Sequence, residues 1–235
     1  MFRRVIALNN RGVESLYCGR YQEANLFFRH AIECLKEIVE APAAATSKAG
    51  SSRSSHSLQP RLTSVSLNRL SLAWQLTVSP HNFFEMYLKA FVLPKNHEAI
   101  SADAFSEAIA VVLYNLGLVN HILGLHSTTS SSPSHSKALL VDALNYYKRS
   151  LSVFKATERS SPDYFGVTLG CLVNLGHMFV HSWEMEQATM VIFAMDKLLD
   201  SACTEALDIE DAEFFVSITS STNEQYGIGL VAPAA

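Results

Sequence analysis

The chain has 235 residues, 49% of them hydrophobic and 17% charged, with a formal net charge of −4. It is too apolar to stay disordered and long enough for one substantial core, and its mild negative charge excludes a strong global footprint for nucleic acid or anionic membrane. Charges and histidines interrupt the apolar stretches short of the ~18–20 residues of a membrane span. The start, MFRRVIALNNRG, has too short an apolar run for a secretory leader, so an intracellular protein, cytoplasmic or nuclear and without a membrane segment, is expected.

The apolar pattern predicts a mainly α chain forming a single domain over 1–235. Residues 4–17 and 21–39 read as two helices separated only by Cys18, Gly19 and Arg20, an antiparallel helix hairpin. Its second helix repeats Ala24, Phe27, Phe28, Ala31, Ile32, Leu35 and Val39 at helical spacing. Residues 41–60 are serine-rich and predict a flexible loop, because they bury too little apolar surface to offset their ordering entropy. Between Leu70 and Val78, apolar residues alternate with Ser71, Ala73, Gln75 and Thr77, the period of a strand. FFEMYLKAFV at 83–92 then completes a small β-hairpin over about 68–93, or forms a further helix. A second helix pair covers 101–124 and 137–154, across a serine-rich loop at about 125–136. A third pair covers 163–181 and 184–203. The end, from about 206 to 235, reads as an extended arm, or as one with a short strand at 213–219, EFFVSIT.

Cysteines and charges add two expectations. Cys18, Cys34, Cys171 and Cys203 form no C-x-x-C pair and read as buried, reduced thiols. Residues 1–60 carry eight basic and five acidic side chains, residues 61–160 nine and six, and residues 161–235 one and eleven. A basic front therefore faces an acidic end, either as a solvated acidic face, or through attraction within the chain or to a basic partner.

One signature recurs in three helices: NNRG at Asn9–Gly12, YNLG at Tyr114–Gly117 and VNLG at Val173–Gly176. A mid-helix glycine costs about 1 kcal/mol against alanine, so its recurrence points to close helix packing. With Gly12, Gly19, Tyr21, Ala24, Phe28 and Ala31 in the first pair, the pattern resembles the tetratricopeptide repeat. Asn115, Gly117, Gly124, Ala143, Tyr147 and Ser150 carry the resemblance in the second pair, and Asn174, Gly176, Phe179 and Ala188 in the third, with Asn115, Gly117, Asn174 and Gly176 expected to pack the repeats together like their counterparts in the first pair. Trp183 stands where the turn glycine belongs. The signature glycines lie 105 and then 59 residues apart, unlike the ~34 of a regular array, so the match is degenerate. The KAFVLPKN segment and the APAA ending are also similar to helical-repeat proteins of diatom-type algae, a likeness that implies no function. The repeat resemblance implies three stacked helix hairpins, a short α-solenoid, with a concave face lined by the first helix of each pair.

That face offers Tyr114, Leu118, His121, Ile122, Val173, His177, Val180 and His181. It is mostly apolar, which suits a peptide or helix rather than an acidic tail. Trp74, Phe83, Phe84, Tyr87 and Phe91 also need burial, so the chain's own segment 61–94 could fill the same groove. His177 and His181 share a helix face without the acidic residue of a metalloprotease motif, and no metal or cofactor is expected. If the histidines line the groove, partner affinity falls below their ordinary pKa of ~6.5. Glycine-rich phosphate loops and nucleophile elbows are missing, and Cys171 near His177 reads as a core thiol rather than a nucleophile. The sequence therefore predicts a non-enzymatic interaction module or scaffold that binds a protein or peptide. The alternatives are a structural subunit with a self-filled groove, or a small enzyme with an interhelical pocket.

Overall fold

The computed structural model describes residues 1–40, 62–67, 84–95, 102–127, 133–156, 164–201 and 207–226, and within them the chain is mainly helical. Three neighbouring pairs form: α1 (Phe2–Tyr17) with α2 (Tyr21–Glu40), α3 (Ala102–Ser127) with α4 (Pro133–Ala156), and α5 (Phe165–His181) with α6 (Met185–Ser201). Each pair leans on the next, α2 against α3 and α4 against α5. A lone hairpin leaves an apolar face bare, and stacking covers it. The serine-rich stretch at 41–60 lies outside the described residues. The second break is shorter than expected, since α3 continues to Ser127 and α4 starts at Pro133, a residue suited to the first helical turn.

Small residues set the spacing within the first two pairs. A Cβ on Gly12 would press into the Phe28 ring, and one on Gly117 would lie 2.8 Å from Tyr147 Cε1. Phe28 and Tyr147 are fully buried there, so each glycine is the hollow that receives a ring from the partner helix. Ala24, Ala31 and Ala143 are equally enclosed, and Tyr21 packs at the edge of the same core.

The turns inside the first and third pairs are built alike. Gly19 has φ 73°, and the chain closes with Gly19 N–H to Leu16 O at 3.0 Å and Arg20 N–H to Ser15 O at 2.8 Å. Trp183 has φ 61°, with Trp183 N–H to Val180 O at 3.1 Å and Glu184 N–H to Phe179 O at 2.8 Å. Both are left-handed helix stops that satisfy the last free carbonyls. Glycine adopts that conformation without steric cost, whereas a side chain with a Cβ is strained by ~1–2 kcal/mol. Trp183 is also 86% exposed, so little packing offsets its strain. Trp183→Gly should therefore stabilise the fold by roughly 0.5–1 kcal/mol, read as a raised urea midpoint. Trp183→Ala, which keeps the Cβ, should not, and equal midpoints for the two variants would refute the strain.

The C-terminal segment differs from expectation. In place of an extended arm over 206–235, residues Ile209–Tyr226 form α7, packed on α6 and α5. The Asp208 carboxylate accepts a 2.7 Å bond from Asp211 N–H and caps the helix. Glu210 and Asp211 in the first turn suit its positive end. Phe215 and Ile218 are buried three residues apart, so helical spacing outweighs the strand propensity of EFFVSIT.

A small antiparallel sheet completes the fold. β1 (Thr63–Ser66) pairs with β2 (Lys89–Val92), with Ser64 opposite Phe91 and Val65 opposite Ala90. The alternating run at Leu70–Val78 lies outside the described residues. Of the two readings of 83–92, the extended one holds for the described part, 84–92. One further expectation is corrected: α3 is long and apolar enough to cross a membrane. Treating its charges and histidines as breaks hid this. Yet 89% of its apolar window is buried inside the protein, the position of a core helix.

Candidate functional site

Residues 84–93 run extended across the inner helices α1, α3 and α5, and one edge of this segment is held by side chains rather than by a strand. Asn10 donates to Leu93 O at 2.8 Å and accepts from Leu93 N–H at 2.9 Å. Asn115 donates to Phe91 O at 2.8 Å and accepts from Phe91 N–H at 3.0 Å. Asn174 accepts from Tyr87 N–H at 2.8 Å and donates to Tyr87 O at 3.3 Å. A carboxamide carries one acceptor and two donors in a plane, so each asparagine can clasp both backbone groups of one residue as a neighbouring strand would. The Tyr114 hydroxyl donates to Lys89 O at 3.0 Å and fills the gap in this column.

The three clasping asparagines are the ones two residues before Gly12, Gly117 and Gly176. They hold residues 93, 91 and 87 in that order, so the segment runs antiparallel to the order of the helix pairs. Asn9 ties the column together: its amide donates to Phe91 O at 3.0 Å, and its oxygen accepts from Asn115 at 2.9 Å. The opposite edge is satisfied by β1, through the strand pairing and Leu67 N–H to Leu88 O at 2.8 Å. Every second residue of the segment therefore faces helix side chains, and the residues between face β1. Asn115 and Asn174, read from sequence as helix-packing residues, are instead the clasps. In each Asn-x-Gly it is the glycine that opens the hollow for a ring.

The segment's rings fill hollows on α5. A Cβ on Gly176 would run into the Phe84 ring, and one on Gly170 would lie 2.8 Å from Tyr87 Cδ1. In the first two pairs the hollow beside the signature glycine takes a ring from the partner helix, Phe28 or Tyr147. In the third pair Ile192 stands sixteen positions after Gly176, as Phe28 does after Gly12, and the ring is supplied by Phe84. Phe91 packs edge-on against Tyr114 with ring centroids 5.1 Å apart, and Tyr87 lies 4.9 Å from the Phe215 ring of α7.

The other residues predicted to line an apolar groove separate into two groups. Tyr114, Leu118, Ile122 and Val173 are fully buried, while Val180 is half-buried and His181 exposed. His121 and His177 meet each other, with His177 Nδ1 3.2 Å from His121 Nε2, and the Tyr147 hydroxyl sits 3.5 Å from His121 Nδ1. Burial, with the nearby His181, holds His177 down at about 4 and pushes His121 well below the ordinary imidazole value. These two buried rings therefore titrate below the 6.5 expected of groove histidines. Burial also pushes the Cys171 thiol up to about 12, the opposite of what a thiolate nucleophile requires. Cys34 and Cys171 are free and buried as expected, whereas Cys18, at the end of α1 in the turn, is free and exposed rather than buried. Among the described residues no cluster of three His, Cys, Asp or Glu side chains could hold a metal ion.

A cavity of about 480 Å³ opens beside the segment, lined in part by Tyr17, Tyr87, Lys89, Asp211 and Phe214. Lys89 Nζ lies 2.7 Å from Asp211, 3.2 Å from Glu210 and 3.7 Å from Asp208. Burial alone would lower the lysine, but the hydrogen bond and charge of Asp211 outweigh it and raise the ammonium above its ordinary range. Here the basic front and acidic end do attract within the chain. Comparison with family models, curated proteins and solved structures finds no match.

Proposed function

We propose that the chain is a tetratricopeptide-like interaction module that receives an extended peptide along α1, α3 and α5, with residues 84–93 as its resident ligand. One observation carries this reading: three asparagines at the same position of successive helix pairs each clasp both backbone groups of one residue. A buried segment that served only as core would need its backbone satisfied somewhere. It would not need the same side chain, repeated at the same position, to do it. Contacts of this type recognise a peptide by its backbone, largely independently of sequence, so a partner strand of suitable side chains can take the same place. The module acts by holding a partner, and no group in the groove is assigned a chemical step.

A second reading, a structural subunit whose groove is permanently self-filled, draws support from Phe84, Tyr87 and Phe91, which are almost fully buried. Hydrogen exchange separates the two. In a receptor, the amides of Tyr87, Phe91 and Leu93 exchange through a local opening of lower free energy than the core of α3. In a structural subunit they exchange only with global unfolding. Coincident exchange free energies for these amides and those of Val111–Leu116 would overturn the receptor reading.

A further inference from the structure

Resting on that receptor reading, we infer that the groove selects its partner by charge, taking a strand that carries a basic side chain between two aromatic residues and pairing it with the acidic start of α7. The resident strand supplies the pattern: Tyr87, Lys89, Phe91 and Leu93 present their backbone to the helix column. Tyr87 and Phe91 share a face, with ring centroids 6.3 Å apart. Between them Lys89 extends to α7, its side chain 11% exposed and that of Asp211 8% exposed. Acidic residues at a helix start are common and by themselves select nothing. Asp208 is accounted for as the cap of α7. Asp211 is different, since it turns inward, is buried, and meets the one basic side chain of the strand.

Two further observations point to an incoming ligand at this place. Three carboxylates face a single ammonium, so the site stays negative with Lys89 in it. The Tyr87 hydroxyl, in a residue 2% exposed, lines the same cavity and offers Asp211 only a neutral donor, which leaves the carboxylate's charge to a basic side chain. The roughly 480 Å³ of open space beside the ion pair gives a longer side chain room. A guanidinium, with five donors on a planar fork, is accommodated as readily as an ammonium. A neutral residue would leave Asp211 buried without a counter-charge, and an acidic one would add repulsion. The partner class is therefore an extended segment of the form aromatic-x-basic-x-aromatic-x-aliphatic.

The test uses the full chain with its resident strand loosened by Phe91→Ala and, independently, by Tyr87→Ala, and fluorescent peptides of the sequence at 83–94, FFEMYLKAFVLP. Binding is read by anisotropy. The unaltered and Lys89→Arg peptides should bind, and the Lys89→Glu peptide at least tenfold more weakly. That difference should shrink in a chain also carrying Asp211→Asn. On the wild-type chain the same peptides should compete in the same order, more weakly, which keeps the comparison available if a loosened variant fails to fold. Equal affinity for the unaltered and Lys89→Glu peptides would overturn charge selection and leave the receptor standing. Failure of every peptide to bind any of the chains would overturn the receptor reading itself, and the selection with it.

Discussion

Asn115→Ala should destabilise the protein by about 3–5 kcal/mol, because one side chain satisfies three buried partners. Its amide oxygen takes Phe91 N–H, and its nitrogen serves both Phe91 O and Asn9 Oδ1. Asn9 still reaches Phe91 O after the truncation. Phe91 N–H has no such second partner and loses its acceptor inside the protein. Each stranded buried polar group costs roughly 1–3 kcal/mol, and the void left by the side chain adds to it. Asn115→Asp is the sharper variant. It keeps an acceptor for Phe91 N–H but turns an oxygen toward Phe91 O and Asn9 Oδ1, placing an uncompensated charge there. It should be at least as damaging at pH 7. Asn10→Ala, at a half-buried end of the column where water can substitute, should cost only about 1–2 kcal/mol. Urea midpoints rank the three. A loss below about 1 kcal/mol for Asn115→Ala would show that the strand is not held by this clasp.

The same asparagines show where sequence reasoning stopped. Helical spacing located the three pairs, and the recurring Asn-x-Gly marked α1, α3 and α5 as equivalent. Gly12 and Gly117 do what a mid-helix glycine is expected to do, receiving Phe28 and Tyr147. The asparagine two residues before each glycine has no helical period of its own, and the backbone groups it clasps come only with residues 84–93, from far along the chain. Its function lies in a contact between residues 24 to 87 positions apart, which local pattern does not encode. One signal was present: Phe84, Tyr87 and Phe91 were surplus aromatic residues in need of a site. The third pair, with Ile192 where the others carry a ring, had the space. Helix α7 was missed for the opposite reason, since Phe214, Phe215 and Val216 suggest a strand. Its amphipathic face is apparent only with Phe215 and Ile218 set against the rest of the fold.

Acid should unfold the protein in part through His121 and His177. A neutral chain of contacts fits the observed distances: the Tyr147 hydroxyl donates to His121 Nδ1, and His121 Nε2–H donates to His177 Nδ1. Adding a proton to His177 Nδ1 sets two donors against each other in a site without water-exposed surface, as both rings are nearly fully buried. His177 is held at about 4 in the fold, while an unfolded chain titrates near 6.5. Between those values the unfolded state binds the proton and the folded state does not, so stability is complete near neutrality and is lost as pH falls from about 6.5 to about 4. At ~1.4 kcal/mol per pKa unit, His177 alone accounts for a loss of about 3 kcal/mol across that window. Carboxylates contribute their own acid sensitivity, so the informative quantity is a difference. His177→Gln removes the titration while retaining a polar group toward His121. Its stability between pH 7 and pH 4 should fall by about 3 kcal/mol less than that of the wild type. Parallel pH profiles for the two proteins would show that the pair is not the acid-sensitive element of the core.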